Sequence, residues 1–91
     1  VYLHLGQEVV VKTGDVIGIF DLEKATLSKK TKDFLAAATR GGRVVTVSYE
    51  MPKSFVVTQG QEGGRVYISQ ISTETLKKRG RRKKSEYPLA D

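Results

Sequence analysis

The sequence predicts an α+β fold, a small antiparallel sheet of five or six short strands packed on one main helix. Two observations predict it. Short β-rich runs recur in both halves of the chain, and one stretch between them repeats its apolar residues at intervals of three and four. The chain has 91 residues, of which 38% are hydrophobic, so it forms one domain with a thin core. Because no cysteine or tryptophan supplements that core, we expect the protein to oligomerise.

Three β-rich runs occupy the first third of the chain. Residues 2–5 alternate in polarity, residues 9–11 are three valines, and residues 15–20 form a third run rich in β-branched side chains. Gly14 marks the hairpin between the second and third runs. Asp21 follows the third run, where we expect it to act as a turn or cap residue before the helix.

The main helix is predicted over about twelve residues, ending near Arg40. Ser28 is its predicted N-cap, and Gly41 and Gly42 can supply the left-handed residue that closes it. Arg40 lies in the last turn, where its charge complements the helix dipole. One helical face carries the residues that recur at spacings of three and four, namely Leu27, Thr31, Phe34, Leu35 and Ala38.

The second half of the chain adds three strands and a second helix. Residues 43–49 alternate as in a half-buried strand, and residues 54–58 and 65–69 form a hairpin joined by a glycine-rich loop. A short helix over residues 75–78 follows, which Gly80 weakens. Four aromatic side chains are expected in the core: Phe20, Phe34, Phe55 and Tyr67.

Basic residues are concentrated at the end of the chain. Residues 1–76 hold nine Lys/Arg against eight Asp/Glu, a net charge of +1, whereas residues 77–91 hold seven against two, a net charge of +5. We therefore divide the chain into an oligomerising domain, residues 1–76, and a basic C-terminal arm, residues 77–91. A block of like charge resists burial, so the arm is predicted to contact phosphates or another polyanion. The alternative is a solvated end that only aids solubility.

The predicted contacts to double-stranded DNA are lysines and arginines, which donate to phosphate oxygens without needing a folded pocket. For each residue of the body, an ordinary surface charge is the alternative. Aromatic residues do not interleave with the basic ones, so nothing indicates a stacking platform for single strands. The candidate DNA-binding residues are Arg40, Arg43, Lys53, Arg65, Lys77, Lys78, Arg79, Arg81, Arg82, Lys83 and Lys84.

An enzyme is not expected, nor is any cofactor, metal or small-molecule substrate. His4 is the only imidazole, and it lies in an alternating strand without a nucleophile that the sequence places beside it. The glycine-rich loop of residues 60–64 lacks the lysine and hydroxyl of a phosphate-binding loop. No run approaches the roughly 20 apolar residues of a membrane span, and the start of the chain lacks a signal pattern. The expected location is the cytoplasm, in association with the nucleoid.

Several segments together resemble the RemA/RemB extracellular matrix regulator family, most closely its RemB-like branch. The resemblance covers residues 2–79 and implies a fold related to the LytTR DNA-binding domain. It also implies a bacterial transcriptional regulator of biofilm matrix genes that binds DNA as a ring-shaped homo-oligomer. The segments that carry it are YLHLG at 2–6, DVIGIFDLE at 15–23, SKKTKDFL at 28–35, PKSFVV at 52–57, VYISQIS at 66–72 and TLKKR at 75–79.

The chain departs from the family pattern at two basic positions. The family's DNA contacts include arginines in the loop before the strand of residues 54–58, and only Lys53 carries the matching charge here. A second basic position of the family falls at Asp15. We therefore expect the arm to provide part of the DNA contact, with Lys53 and Arg43 as the body contacts. The alternative function is a non-catalytic oligomeric adaptor that binds a protein partner, with the arm contacting nucleic acid or an anionic membrane nonspecifically.

Overall fold

The structure is a computed structural model that describes residues 1–61 and 63–86, with residues 81–86 described by their backbone alone. The strands of this part of the chain are β1 (Tyr2–Gly6), β2 (Val9–Lys12), β3 (Val16–Asp21), β4 (Val44–Thr46), β5 (Ser54–Gly60) and β6 (Gly63–Ser69). Its α-helices are α1 (Leu22–Ala25), α2 (Lys29–Arg40) and α3 (Thr73–Glu86), and a 3-10 turn spans Thr13–Asp15. The predicted α+β class is confirmed.

The strands form two sheets, where the sequence predicts one antiparallel sheet. Strands β1 and β2 form a separate antiparallel pair, and the other four have the order β3-β5-β6-β4. Within the larger sheet β4 runs parallel to β6. The expectation of a purely antiparallel sheet is therefore wrong. The parallel pairing arises because α2 carries the chain across the sheet from the β3 edge to the β4 edge, so that β4 runs in the same direction as β3.

The four-stranded sheet is the middle layer of the molecule. Val56 of β5 belongs to a cluster on one face that includes Leu3 and Leu5 of β1 and Leu76 of α3. Its neighbour Phe55 belongs to the cluster on the other face, where Ala38 and Leu35 of α2 pack. Because successive side chains of a strand point to opposite faces, β5 is buried from both sides.

Local sequence signals predict both ends of α2 correctly. The Ser28 hydroxyl oxygen accepts a hydrogen bond from the Thr31 amide at 3.4 Å, which confirms the N-cap. Gly42 adopts φ +70°, the left-handed conformation expected of the residue that closes a helix. The helix covers twelve residues, as predicted. Leu27, however, is 85% exposed, so the predicted apolar face does not extend beyond the cap.

Two of the four aromatic side chains predicted in the core lie at its margin. Phe55 is buried, but Phe20 and Phe34 are each 42% exposed. The Phe20 ring stacks on Phe55, with the ring centroids 5.0 Å apart. It also lies over Gly18, where an added Cβ would come within 2.6 Å of the ring. A larger residue at position 18 would therefore require the Phe20 ring to move.

Strand β4 is shorter than predicted, because the chain leaves the sheet after Thr46. The Val47 amide still donates to the Ile68 carbonyl, but Ser48 turns inward and donates to the Gln70 side chain at 2.6 Å. Tyr49, which the alternating pattern assigns to a half-buried face, is 89% exposed. The strand therefore ends in a loop, residues 47–53.

Asp21 ends β3 and begins the four-residue helix α1. Its carboxylate accepts a hydrogen bond from the Lys24 amide at 3.0 Å, which confirms the predicted cap role. The sequence does not predict α1, because four residues are too few for a helical period to show.

Helix α3 is longer than predicted. Ser72 begins it by accepting a hydrogen bond from the Thr75 amide at 3.3 Å, and the helix continues through the basic residues to Glu86. Lysine and arginine are good helix formers, which favours continuation despite Gly80. The helix therefore crosses the predicted boundary at residue 76 without a break. The last part of the predicted arm, residues 87–91, lies outside the described residues.

A buried serine joins the two sheets. The Ser69 hydroxyl of β6 donates to the Leu5 carbonyl of β1 at 2.7 Å and accepts from the Ile71 amide at 3.0 Å. The Ser54 hydroxyl donates to the Ile71 carbonyl at 2.8 Å. Both serines are fully buried, and their hydroxyls are bonded to main-chain groups of Leu5 and Ile71, so no buried hydroxyl is left without a partner here.

Replacing Ser69 by alanine tests this connection. The change leaves the Leu5 carbonyl and the Ile71 amide without their buried partner, so we expect the free energy of unfolding to fall by about 1–3 kcal/mol in urea denaturation. Gln59→Ala, on the exposed part of β5, is the control and should change it by less than about 0.5 kcal/mol. Equal effects of the two variants would contradict a structural role for Ser69.

Candidate nucleic-acid interface

The strand pairing brings several basic residues to one end of the larger sheet. At this end β3, β4 and β6 begin and β5 approaches its last residue. The pairs that show this are Val16 with Thr58, Thr58 with Arg65, and Val44 with Val66. We call it the basic end of the sheet, and it comprises Lys12, Arg40, Arg43, Arg65 and the first exposed lysines of α3. Four strands side by side make it about 15 Å wide.

Arg40 and Arg43 lie at the β4 corner of this end. Arg40 is in the last turn of α2 and Arg43 directly precedes β4, and both side chains are exposed. The main chain of Arg43 is fixed on both sides. Its amide donates to the Ala38 carbonyl at 2.9 Å, and its carbonyl accepts from the Val66 amide at 3.0 Å. Two cations therefore lie at this corner, on a segment between α2 and β4 that main-chain hydrogen bonds hold in place.

Arg65 lies beside Arg43, at the start of β6. It lines a polar cleft of about 460 Å³ together with Lys12, Asp15, Tyr2 and Tyr67. Lys12, at the end of β2, is a cation at this end that the sequence analysis misses. Only the packing of the small β1-β2 sheet against the larger one brings it near Arg65, so no local pattern marks it. Asp15 lies in the same cleft and reduces its positive charge.

Helix α3 approaches the same end from the β3 side with the first of its basic residues. Lys77 and Gly80 line a cleft with Thr13, Gly14 and Val16, which are residues of the basic end and of the turn leading to it. Lys77 and Lys78 are exposed. The helical backbone continues to Glu86, whereas the side chains of Arg81, Arg82, Lys83 and Lys84 lie outside the described part.

Arg79 connects α3 to the body of the protein. Its guanidinium donates a hydrogen bond to the His4 carbonyl at 3.1 Å, and the side chain is half-buried. The His4 ring in turn donates through Nε2 to the Gln7 carbonyl at 2.9 Å. With the buried Leu76 one turn earlier, Arg79 fixes the direction in which α3 leaves the body.

Lys53 lies at the opposite end of the sheet. Lys53 directly precedes Ser54 of β5, which pairs with Ser69 of β6. This pair lies four residue pairs, or about 14 Å along the strands, from the pair formed by Thr58 and Arg65. The Lys53 side chain is exposed, and it lines a cleft with Asp21, Glu23 and Met51. The structure thus separates Lys53 from Arg43, the two residues that the sequence favours as body contacts.

The 47–53 loop is fixed at both of its ends. The Lys53 amide donates to the Ser69 carbonyl at 2.9 Å, and the Lys53 carbonyl accepts from the Leu22 amide at 2.9 Å. At the other end, the buried Ser48 hydroxyl accepts from the Glu50 amide at 3.2 Å. Met51 at the tip has φ +43° and is 78% exposed. A strained backbone that displays a large apolar side chain is typical of a functional position.

Two further features bear on function. No group of three or more His, Cys, Asp or Glu residues that could hold a metal ion occurs within the described residues. In the same part of the chain, no helix has the length and apolar character needed to cross a membrane.

Comparison with known proteins assigns the family. The model of the RemA-like family, described as extracellular matrix regulatory protein A-like, matches residues 2–79. The chain belongs to the RemA-like family. It is also 42% identical, over 78 residues, to extracellular matrix regulatory protein B of Bacillus subtilis (strain 168), which covers 86% of this chain and 88% of that relative. The predicted membership of the RemA/RemB family, on its RemB-like branch, is confirmed.

The match to the RemA-like family ends within α3. It includes Lys77, Lys78 and the Arg79 contact to β1, so the anchored first part of the helix belongs to the shared domain. The remaining basic residues of the helix, Arg81, Arg82, Lys83 and Lys84, follow the matched region. The positive charge of this RemA-like chain is therefore carried partly within the shared domain and partly beyond it.

Replacing Met51 by glycine tests the strain at the loop tip. Glycine adopts positive φ without steric cost, whereas other residues lose about 1–2 kcal/mol in the left-handed region, so we expect Met51→Gly to stabilise the protein by about 0.5–1 kcal/mol in urea denaturation. Glu50→Gly is the matched control and should destabilise by about 0.5–1 kcal/mol, because it only adds chain entropy to the unfolded state. A loss of stability in Met51→Gly equal to that in the control would contradict a strained tip.

Proposed function

We propose that this RemA-like protein is a transcriptional regulator that binds double-stranded DNA as a ring-like homo-oligomer in the cytoplasm. Its targets are biofilm matrix genes or related genes. The names of the family and of the Bacillus relative, both extracellular matrix regulatory proteins, support the regulatory role. The observation that carries the DNA-binding role is the convergence of Arg40, Arg43, Arg65 and the basic helix α3 on one end of the sheet.

Phosphate contact follows from the charges at this end. The basic end is about 15 Å wide, comparable to the roughly 12 Å width of a B-DNA major groove, so cations at its two corners can reach phosphates on both sides of a groove. The body alone is close to neutral, with a net charge of +1 over residues 1–76. Helix α3 therefore supplies most of the attraction, while Arg40 and Arg43 orient the sheet against the backbone.

Salt dependence measures how many cations take part. Each phosphate contact contributes about 0.9 to the slope of log affinity against log salt. Seven contacts from residues 77–84 would give a slope of roughly −6. If Arg79 keeps its bond to the His4 carbonyl, six contacts remain and the slope is roughly −5.

Assembly of several copies would raise the affinity further. A ring repeats the basic end many times. Once one basic end has bound the DNA, the others bind the same DNA at a high effective concentration, which raises the overall affinity. Individually weak body contacts such as Arg43 then contribute to an apparent affinity that depends on the oligomeric state. The small core, with 38% hydrophobic residues and no disulfide, supports association on stability grounds as well.

The second candidate is a non-catalytic oligomeric adaptor that binds a protein partner. The observation that favours it is the tip of the 47–53 loop, where Tyr49 and Met51 are exposed on either side of Glu50. Exposed aromatic and methionine side chains are enriched in protein interfaces, and an acidic residue between them repels phosphates. In this function, α3 would contact nucleic acid or an anionic membrane without sequence preference.

Binding of the full chain to a labelled DNA duplex, from about 50 to about 200 mM salt, tests the proposed function. Lys77→Ser/Lys78→Ser and Arg40→Ser/Arg43→Ser each remove two exposed cations at the basic end. We expect each double variant to weaken binding to all duplex sequences and to reduce the magnitude of the salt slope by about 2. Light scattering on the same samples reports the oligomeric state.

The control removes the same charge elsewhere. Lys24 and Lys32 are exposed near the other end of α2 and outside the basic end, so Lys24→Ser/Lys32→Ser should leave the salt slope unchanged. An equal loss in the control would mean that only net charge attracts DNA. Absence of binding by the parent chain at low salt would refute the DNA-binding role and leave the adaptor.

A further inference from the structure

The polar cleft of about 460 Å³ at the basic end is built from side chains of five separate elements. It lies between the small β1-β2 sheet and the larger sheet, and it has the size of a small-molecule site. A concave surface on which a few polar groups converge is the usual form of a ligand pocket. Its polar and aromatic lining includes Tyr2, Lys12, Asp15, Thr58, Arg65 and Tyr67.

Three polar side chains of this cleft have no partner within the part of the chain that the structure describes. Thr58 is only 6% exposed, yet its hydroxyl forms no hydrogen bond with a described residue. Because no fully enclosed side-chain nitrogen or oxygen of the described residues lacks a partner, this hydroxyl is open to the cleft. The Asp15 carboxylate and the Lys12 ammonium likewise form no hydrogen bond or ion pair with a described residue. A ligand that pairs with all three groups therefore gains directed bonds without breaking bonds of the protein.

The strand pairing arranges the polar groups of the cleft in a row across the sheet. Asp15 directly precedes Val16, which pairs with Thr58, and Thr58 in turn pairs with Arg65. Neighbouring strands lie about 4.8 Å apart, so the row is about 10 Å long. It has a carboxylate at one end, a hydroxyl in the middle and a guanidinium at the other end. Lys12 adds its ammonium from the small sheet.

Two phenol rings give the same cleft flat apolar surfaces. Tyr2 is 51% exposed, whereas Tyr67 is half-buried and packs against the apolar cluster that includes Leu3 and Val56. Among the described residues, neither tyrosine ring stacks on another aromatic side chain. A planar ligand can therefore stack on a tyrosine while its polar groups meet the row of charges.

These groups match the chemistry of a guanine nucleotide. Lysine and arginine are the usual partners of phosphate. An ionised carboxylate only accepts hydrogen bonds, through two oxygens, and guanine offers two adjacent N–H donors on its Watson–Crick edge. Adenine presents an N–H donor beside a ring acceptor, so it fits a carboxylate less well. The ribose hydroxyls of a nucleotide lie between base and phosphate, as Thr58 lies between Asp15 and Arg65.

We propose that this cleft binds a guanine nucleoside monophosphate. Asp15 accepts hydrogen bonds from the base, Thr58 contacts the ribose, and Lys12 and Arg65 bind the phosphate. The sequence analysis expects no small-molecule substrate because these residues come from separate elements, so no local motif marks the site. The inference goes beyond the proposed function, since ligand binding at this cleft does not require DNA.

Isothermal titration calorimetry of the full chain gives the first test, with guanosine monophosphate, adenosine monophosphate and inorganic phosphate as probes. We expect guanosine monophosphate to bind with one ligand per chain. Adenosine monophosphate lacks the paired donors and inorganic phosphate lacks the base and ribose, so each should bind about fivefold or more weakly. Inorganic phosphate that binds as tightly as guanosine monophosphate would overturn the nucleotide site. Absence of guanosine monophosphate binding at millimolar concentration would overturn it as well.

Substitutions in the cleft give the second test, in the same titration. Asp15→Asn replaces one acceptor by a donor, so we expect weaker guanosine monophosphate binding and no remaining preference over adenosine monophosphate. A general loss of structure would weaken both nucleotides alike and leave their ratio unchanged. Thr58→Val and Lys12→Ser remove one hydroxyl and one cation, and each should weaken guanosine monophosphate binding about threefold or more.

Matched controls make the same chemical changes outside the cleft. Thr46→Val on β4 and Lys24→Ser on α1 should bind guanosine monophosphate like the parent chain. If Thr58→Val fails to fold by circular dichroism, Lys12→Ser at an exposed position still tests the site. Binding by Lys12→Ser and Asp15→Asn equal to that of the parent chain would overturn the proposal. The titrations contain no DNA, so their outcome is independent of the proposed function.

Discussion

Burial of strand β5 on both faces is the constraint on which the rest of the structure depends. Phe55 and Val56 are adjacent in the sequence, yet each belongs to a different apolar cluster. One cluster requires α2 on its side, and the other requires the β1-β2 pair and α3. A chain of 91 residues supplies little apolar surface for two layers, so each is thin. The buried serine that joins the sheets adds directed bonds where apolar area is limited.

The path of α2 across the sheet determines where the basic end lies. The helix begins near the β3 edge and ends at the β4 edge, which brings Arg40 and Arg43 to the end of the sheet where β6 begins. Because a twelve-residue helix is about 18 Å long and makes its main contact through Leu35 and Ala38, it leaves the sheet beside Phe34 uncovered. The same crossover thus creates the basic corner and leaves Phe20 and Phe34 partly exposed at a separate place.

Local features of the structure follow from the sequence, and features that depend on distant pairing do not. The Ser28 cap, the left-handed Gly42 and the Asp21 cap each rest on hydrogen bonds within a few residues. The parallel pairing of β4 and the position of Lys12 depend on how separate elements pack, which periodicity does not encode. The basic run indicates the charge of α3, but Gly80 predicts a shorter helix than the lysines and arginines support.

The division of charge between the 47–53 loop and α3 separates an acidic end of the sheet from a basic one. A phosphate backbone near the 47–53 loop would meet Glu50 and the acidic cleft of Asp21 and Glu23, with Lys53 as the cation beside them. At the other end of the sheet, α3 is held by Leu76 and Arg79 and carries most of the net positive charge of the protein, since residues 1–76 have a net charge of only +1. Repulsion between copies that share such charge falls if the basic ends face DNA, whose phosphates neutralise them. The proposed DNA contact therefore favours association of copies through surfaces away from the basic end.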